Sequence, residues 1–275
     1  MKTKLSIFLL IFCSIVSAQT HRFIYHVEYK KDTTSSFINK EYYHLDISGS
    51  IIDYYKRDFF IADSLINNNS PFPELMQLNT SQIISHRRGS DEFEEFDLLE
   101  NTVLNLQTQD AQEWKLINEK KRERELVLQK ATTSWGGRKW IAWFALEIPF
   151  QEGPYKFHGL PGLIVELKDE KENFLFLLTK SENLGTSYRN QFIEMAKKMS
   201  VPVTWEKYKN AKLSYYNSPV NFIRNSIGTS NNSEFFLNDG TRVNASNMRE
   251  INENLRKKIK SFNNPIDLNK VISYP

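Results

Sequence analysis

A lysine set between two aromatic residues, Tyr155-Lys156-Phe157, and followed at once by His158 is the combination of side chains in this sequence best suited to recognition. An ammonium flanked by rings can anchor an anionic headgroup or a partner's carboxylate, and an adjacent imidazole can bind or move a proton. With Trp143 upstream, Tyr155, Lys156, Phe157 and His158 form the candidate ligand-binding set. Glu147, Glu152, Glu166 and Asp169 flank the same stretch, and a facing pair of such carboxylates would serve a hydrolase of the glycosidase kind, with His158 as the alternative catalyst. The histidines His21, His26, His44, His86 and His158 show no His-x-His or His-Glu-x-x-His spacing. Gly-x-Ser-x-Gly elbows and phosphate-cradling glycine loops are also missing, so the sequence assigns no catalytic set and no cofactor.

One metal site is expected at the start of the mature chain. Lys2 and Lys4, the apolar run Leu5 to Val16 and the small residues Val16-Ser17-Ala18 read as a secretory signal peptide, residues 1–18, cleaved after Ala18. That leaves a single domain, residues 19–275, in the periplasm or outside the cell. Its first residues, Gln19-Thr20-His21, place histidine third, an arrangement that wraps Cu(II) or Ni(II) in four nitrogens and makes His21 the metal candidate. Cys13, the single cysteine, leaves with the peptide, which removes thiol catalysis, cysteine-bound zinc and iron–sulfur chemistry. No later run reaches ~18 apolar residues, so no transmembrane segment is expected in the mature chain. The 36 Lys and Arg residues against 33 Asp and Glu, without a basic half, exclude nucleic acid as a partner.

The scaffold that must hold these side chains reads as β-rich first and helical last. Phe23, Tyr25, Val27 and Tyr29 alternate with polar residues, Tyr43, Leu45 and Ile47 repeat the pattern, and Ile51 to Tyr55 extends the meander. Further strands are expected at Gln82–Arg88, Glu92–Leu99, Trp114–Asn118, Glu123–Ser134, Lys139–Ile148, Gly162–Lys168 and Phe174–Lys180, with a hairpin at Gly136-Gly137. Helices are expected over Asp58–Asn67, along the stripe Tyr188, Phe192, Met195 and Met199, from Trp205 after a Thr204 cap, and from a Ser246 cap through Ile251, Leu255, Ile259 and Phe262. A small hairpin is expected to turn at Asp239-Gly240. Leu160-Pro161-Gly162-Leu163 fits a type II turn, with positive φ at Gly162.

The stretch containing Lys130-Ala131, Gly137-Arg138, Trp143-Phe144, Glu147-Ile148-Pro149, Gly153-Pro154-Tyr155-Lys156-Phe157 and Gly159-Leu160-Pro161-Gly162-Leu163-Ile164 resembles the GLPGLI family, named for the hexapeptide at 159–164. The resemblance implies an exported protein of a Gram-negative bacterium and supplies no activity. Members often carry a cysteine two positions before the Lys-Ala pair, where this chain has Leu128.

Together these readings predict an α+β domain: a large curved antiparallel sheet, half-barrel-like and similar to LolA-type carriers, packed by C-terminal helices. Its concave face is expected to be lined by Phe23, Tyr25, Val27, Tyr43, Leu45, Trp140 and Ile164, with Ile251, Leu255 and Ile259 as a cover. A pocket of ~300–1,000 Å³ left beneath that cover would suit a lipid-like or peptide ligand. The expected role is binding, of an apolar or amphipathic molecule or of an envelope protein. A hydrolase and a scaffold partner of an outer-membrane complex are the alternatives.

Overall fold

Alternation of inward and outward residues, shifted once between Ile24 and Tyr25, makes the first strand, Thr20–Tyr29 (β1), and each following strand pairs with the one before it: Asn39–Ser48 (β2), Ile51–Lys56 (β3), Ile83–Arg87 (β4), Glu92–Leu99 (β5) and Thr102–Gln109 (β6). A second meander follows, with Lys115–Glu123 (β7), Leu126–Trp135 (β8), Arg138–Ala145 (β9), Leu163–Asp169 (β10) and Phe174–Asn183 (β11). It returns so that β11 pairs antiparallel with β1, giving one open sheet of 12 strands in the order β12-β6-β5-β4-β3-β2-β1-β11-β10-β9-β8-β7. The short strand Val201–Val203 (β12) runs parallel to β6, so the sheet is mixed rather than wholly antiparallel. This computed structural model describes residues 19–71, 82–100, 102–220, 235–237, 241–244 and 246–275. The expected signal peptide and the Asp239-Gly240 turn lie outside the described residues, although the strands flanking that turn, Phe235–Phe236 (β13) and Arg242–Val243 (β14), do pair.

Gly136 and Gly137 carry φ of 60° and 72°, the paired positive values of the turn that matches strand twist, as their spacing predicts. Strand β6 is absent from the expected set, although Leu104 and Leu106 alternate with Asn105 and Gln107 along it.

One face of the sheet gathers the main core, including Phe23, Tyr25, Val27, Leu45, Ile47, Trp140, Phe144, Ile164 and Leu167, with Tyr43 packed at its margin. The opposite face of β2–β6 is covered by Arg57–Asn67 (α1) and Gln191–Met199 (α2), which close over Tyr55, Ile83 and Phe96 with Phe59 and Ile193. Asn190 caps α2, its side-chain oxygen accepting from Phe192 N and Ile193 N at 3.0 and 3.2 Å. That start, with Lys197 held by Asp53 at 2.7 Å, turns Ile193 inward and leaves Met195 and Met199 exposed, so the Tyr188-Phe192-Met195-Met199 stripe is not the buried one.

The C-terminal helices do not cover the main core. Trp205–Asn217 (α3), begun by Thr204 as expected, sets Tyr208 against Leu104 and Leu106 near the β6 edge. Met248–Ser261 (α4) packs Ile251 on Val220 and Val243 instead of on the sheet. Its start is one residue later than Ser246 predicts, because the Asn244 side chain accepts from both Ser246 N and Asn247 N.

Beneath α1, His44 is buried against Tyr55 and Phe60 with neither ring nitrogen hydrogen-bonded. Burial, reinforced by Arg22 and Arg57, pushes its pKa down to about 3 from an ordinary 6.5. The unfolded chain therefore binds a proton there that the folded chain refuses, so stability falls as pH drops from 6.5 towards 3. Denaturation profiles of His44→Leu across that window should be flatter than those of the parent by up to ~1.4 kcal/mol per pH unit.

Candidate functional site

The loop from Leu146 to Gly162 leaves β9, folds back on itself and re-enters the sheet at β10. Its frame is backbone: Gly159 N donates to Gln151 O at 2.9 Å, Ile164 N to Glu152 O at 3.0 Å and Phe157 N to Pro154 O at 3.2 Å. Tyr155 takes φ of +59°, an uncommon value for a residue with a side chain, and so directs Lys156 and Phe157 inward.

Gly162 is not the left-handed residue of a type II turn. Positive φ falls instead at Gly159, +86°, and Leu163 N donates to Ile148 O at 3.0 Å. Gly162 is required by proximity, since a Cβ there would lie 2.1 Å from Ala145 O. Gly162→Ala is expected to cost about 1–3 kcal/mol by forcing the loop off the sheet. Gly159→Ala, with nothing within 4 Å of the added carbon, should cost only its φ strain of about 1–2 kcal/mol. Thermal melts of the two variants check the ranking.

Phe157 is 1% exposed and stands among three tryptophans, with ring centroids 4.6 Å from Trp140, 5.1 Å from Trp135 and 6.3 Å from Trp114. Leu160 is buried beside it in the same cluster, and Tyr155 packs edge-on to Trp135. Burial pushes the Tyr155 phenol well up, and the nearby Glu95 and Asp110 carboxylates add to it. The loop is therefore a plug in the apolar face, occupying the place that the sequence left for a C-terminal cover.

Lys156 is not presented to solvent. It is 1% exposed, and its ammonium donates to Glu95 Oε1 at 2.5 Å, Asp110 Oδ2 at 2.7 Å and Thr108 Oγ1 at 2.8 Å, which uses all three N–H groups. Burial alone would raise the Asp110 pKa, but Lys156, with help from Thr108 and Lys270, holds it below the ordinary carboxylate value. The anion that this lysine recognises is thus a pair of carboxylates from the chain itself.

His158 is equally committed. Its Nδ1 lies 3.0 Å from Lys156 O and its Nε2 2.8 Å from Asp91 Oδ1, which leaves no ring nitrogen free to act as a base. His86, which sequence spacing left unassigned, meets Glu152 at 3.0 Å with both side chains buried. The other flanking carboxylates do not face one another: Glu166 is bound by Lys121, Asp169 by Arg138 at 3.1 Å, and Glu147 accepts from Val127 N at 3.3 Å.

Two expected members lie elsewhere. Trp143 points to the opposite face, in a cluster with Leu128, Ala145 and Val165 and with Lys121 Nζ 4.8 Å above its ring. His21 sits in β1, its ring 4.8 Å from Phe150. A square-planar metal site would need the Thr20 amide nitrogen, whose N–H already donates to Thr186 O at 3.1 Å, so the sheet competes with the metal. Among the described residues no group of three or more His, Cys, Asp or Glu is placed to hold a metal ion.

Sequence reading missed the residues that hold the plug. Glu95 and Asp110 lie far from the loop in sequence, and β5 carries phenylalanines on both of its faces, Phe93 and Phe96, which hides the inward side of Glu95. An accessible concavity lies on the other side of the sheet. It is a groove of about 570 Å³ between the start of α2 and the outer face of β3–β6, lined by polar residues that include Ser85, Arg87, Glu92, Gln107 and Gln109.

Fold and loop together define a β-rich domain built on a large open sheet, with one face sealed by its own glycine- and proline-marked loop. Residues 99–166, from the end of β5 through the plug into β10, match the family described as "Protein of unknown function (Porph_ging)". Two crystal structures of PNGF-II, in space groups P21 and C2, are similar in fold, with TM-scores of 0.51 and 0.50 and 16% sequence identity. Each likeness covers 70% of this chain but only 33% and 32% of PNGF-II, so this chain spans about a third of that protein. No curated protein matches the sequence. Among the described residues no helix is long and apolar enough to cross a membrane.

Proposed function

We propose that this is an exported binding protein whose partner is a protein of the cell envelope rather than a lipid-like molecule. The observation that carries the reading is the plug: Phe157, 1% exposed among Trp114, Trp135 and Trp140, takes up the apolar surface that a carrier would offer its cargo. With that face sealed, binding falls to the outer surfaces, where polar groups dominate. The signal-peptide pattern of residues 1–18 supports the export part of the proposal.

Native mass spectrometry of the protein purified from its own envelope, paired with titration of a fluorescent fatty-acid probe, tests it. A co-purifying polypeptide and no saturable probe binding are expected. A stoichiometric lipid, or saturable probe uptake by the unmodified protein, would overturn the reading in favour of a carrier.

A further inference from the structure

The groove on the outer face is polar by construction. Two rows of side chains cross its floor, Ile51, Arg87, Glu92 and Gln109 in one and Ser85, Glu94 and Gln107 in the next, which Asp53 continues beyond the groove, as the strand registers dictate. Some of these groups are spoken for: Asp53 accepts from Lys197 at 2.7 Å and Glu94 from Asn105 at 2.9 Å. Among the described residues, the side chains of Arg87, Glu92, Gln107 and Gln109 make no hydrogen bond or ion pair, and all four are exposed in the groove. These four side chains, unlike the buried charges paired in the plug, line a cleft of about 570 Å³ with their polar groups unengaged.

We propose that this groove receives an extended polypeptide segment carrying both an acidic and a basic side chain. Gln107 and Gln109 are two residues apart on one face of β6, a spacing of roughly 6.8 Å, which is also the two-residue repeat of an extended chain. Each carboxamide offers a donor and an acceptor, so the pair can bond successive outward-facing main-chain amides of a segment laid along β6. The lining sets Arg87, Arg189 and Lys197 against Glu92, Glu94 and Glu194, a balance of signs that favours a segment of mixed charge over one of uniform charge. The floor has no ring on which a sugar could stack, because Phe93, the aromatic residue in the lining, belongs to the core on the opposite face. The volume falls within the ~300–1,000 Å³ of ligand clefts. The proposal rests on the reading that the partner is a protein, and it assigns that partner a site and a chemistry.

The test is a titration of the ¹⁵N-labelled protein with acetyl-Gln-Glu-Gln-Lys-Gln-amide, with acetyl-Gln-Glu-Gln-Glu-Gln-amide and maltopentaose as comparisons. Saturable amide shifts confined to β4–β6 and α2 are expected with the mixed-charge peptide, at least 5-fold weaker with the all-acidic one. In the variant Arg87→Ala/Gln107→Ala/Gln109→Ala, whose substitutions are all at exposed positions, binding should fall at least 10-fold while the remaining spectrum is unchanged. No saturable shift, equal binding by the triple variant, or the same shifts from maltopentaose would overturn the proposal. A polypeptide found by native mass spectrometry that binds the triple variant as tightly as the parent would overturn the groove assignment alone and leave the protein-partner reading standing.

Discussion

Phe157→Ala should destabilise the protein by about 3–5 kcal/mol, the cost of emptying a buried aromatic site that cannot collapse. Collapse is prevented because Trp140 and Trp135 stand on rigid strands, and the plug backbone is tied to the sheet through Ile164 N and Leu163 N. The cavity would be apolar and dry, so small aromatic molecules should enter it and raise the melting temperature of the variant but not of the parent. Calorimetry with and without added indole checks both parts. A loss below 1 kcal/mol, or equal stabilisation of both proteins, would mean that Phe157 does not seal the face.

Lys156→Met is the second large effect, with an expected loss of about 3–5 kcal/mol because Glu95 and Asp110 lose the fully buried cation between them and keep only Lys270, 3.2 Å from Glu95. The pH dependence identifies the cause. In the parent, Asp110 is held below its ordinary value, so its contribution is present at neutral pH and is lost as pH falls through that lowered value. Without Lys156, burial governs Asp110, so on mild acidification the variant should lose less stability than the parent, the His44 contribution being common to both. The triple variant Lys156→Met/Glu95→Gln/Asp110→Asn should recover most of the loss, since removing the three buried charges together costs less than removing one of them, and Lys270 keeps Asp267 as a partner at 3.6 Å. Urea denaturation at pH 7 and pH 5 separates these outcomes.

Strand positions were the most legible part of the sequence, because period-two alternation in β1, β2 and β3 reports one buried face directly. The residues of that face were also legible: Phe23, Tyr25, Val27, Leu45 and Trp140 all lie in the main core. What covers them was not. An amphipathic stripe such as that of α4 shows that a helix has an apolar side, but not which surface that side meets, and Ile251 meets Val220 and Val243. Lys156 was misplaced for the converse reason. A lysine between two aromatics looks like a surface device until Glu95 and Asp110, supplied by distant strands, make its burial affordable. Glycine needs were visible as needs, but Gly162 answers a close approach to Ala145 rather than a turn dihedral, and only the packed backbone reveals the difference.

The seam between β1 and β11 carries a consequence for how the chain reaches this state. Strands β1 to β6 and β7 to β11 are each joined to their sequence neighbours, so either half can zip from local hairpins on the microsecond scale. The seam instead joins Phe23 to Ser181 and Tyr25 to Leu178, and Tyr25 Oη donates across it to Ile164 O at 2.7 Å. Contacts of such sequence separation repay their loop-closure entropy only after both halves exist. Union of the two half-sheets is therefore expected to be the slow event of folding, and until it occurs each half would show an unpaired strand edge, β1 on one and β11 on the other, through which two chains could exchange halves.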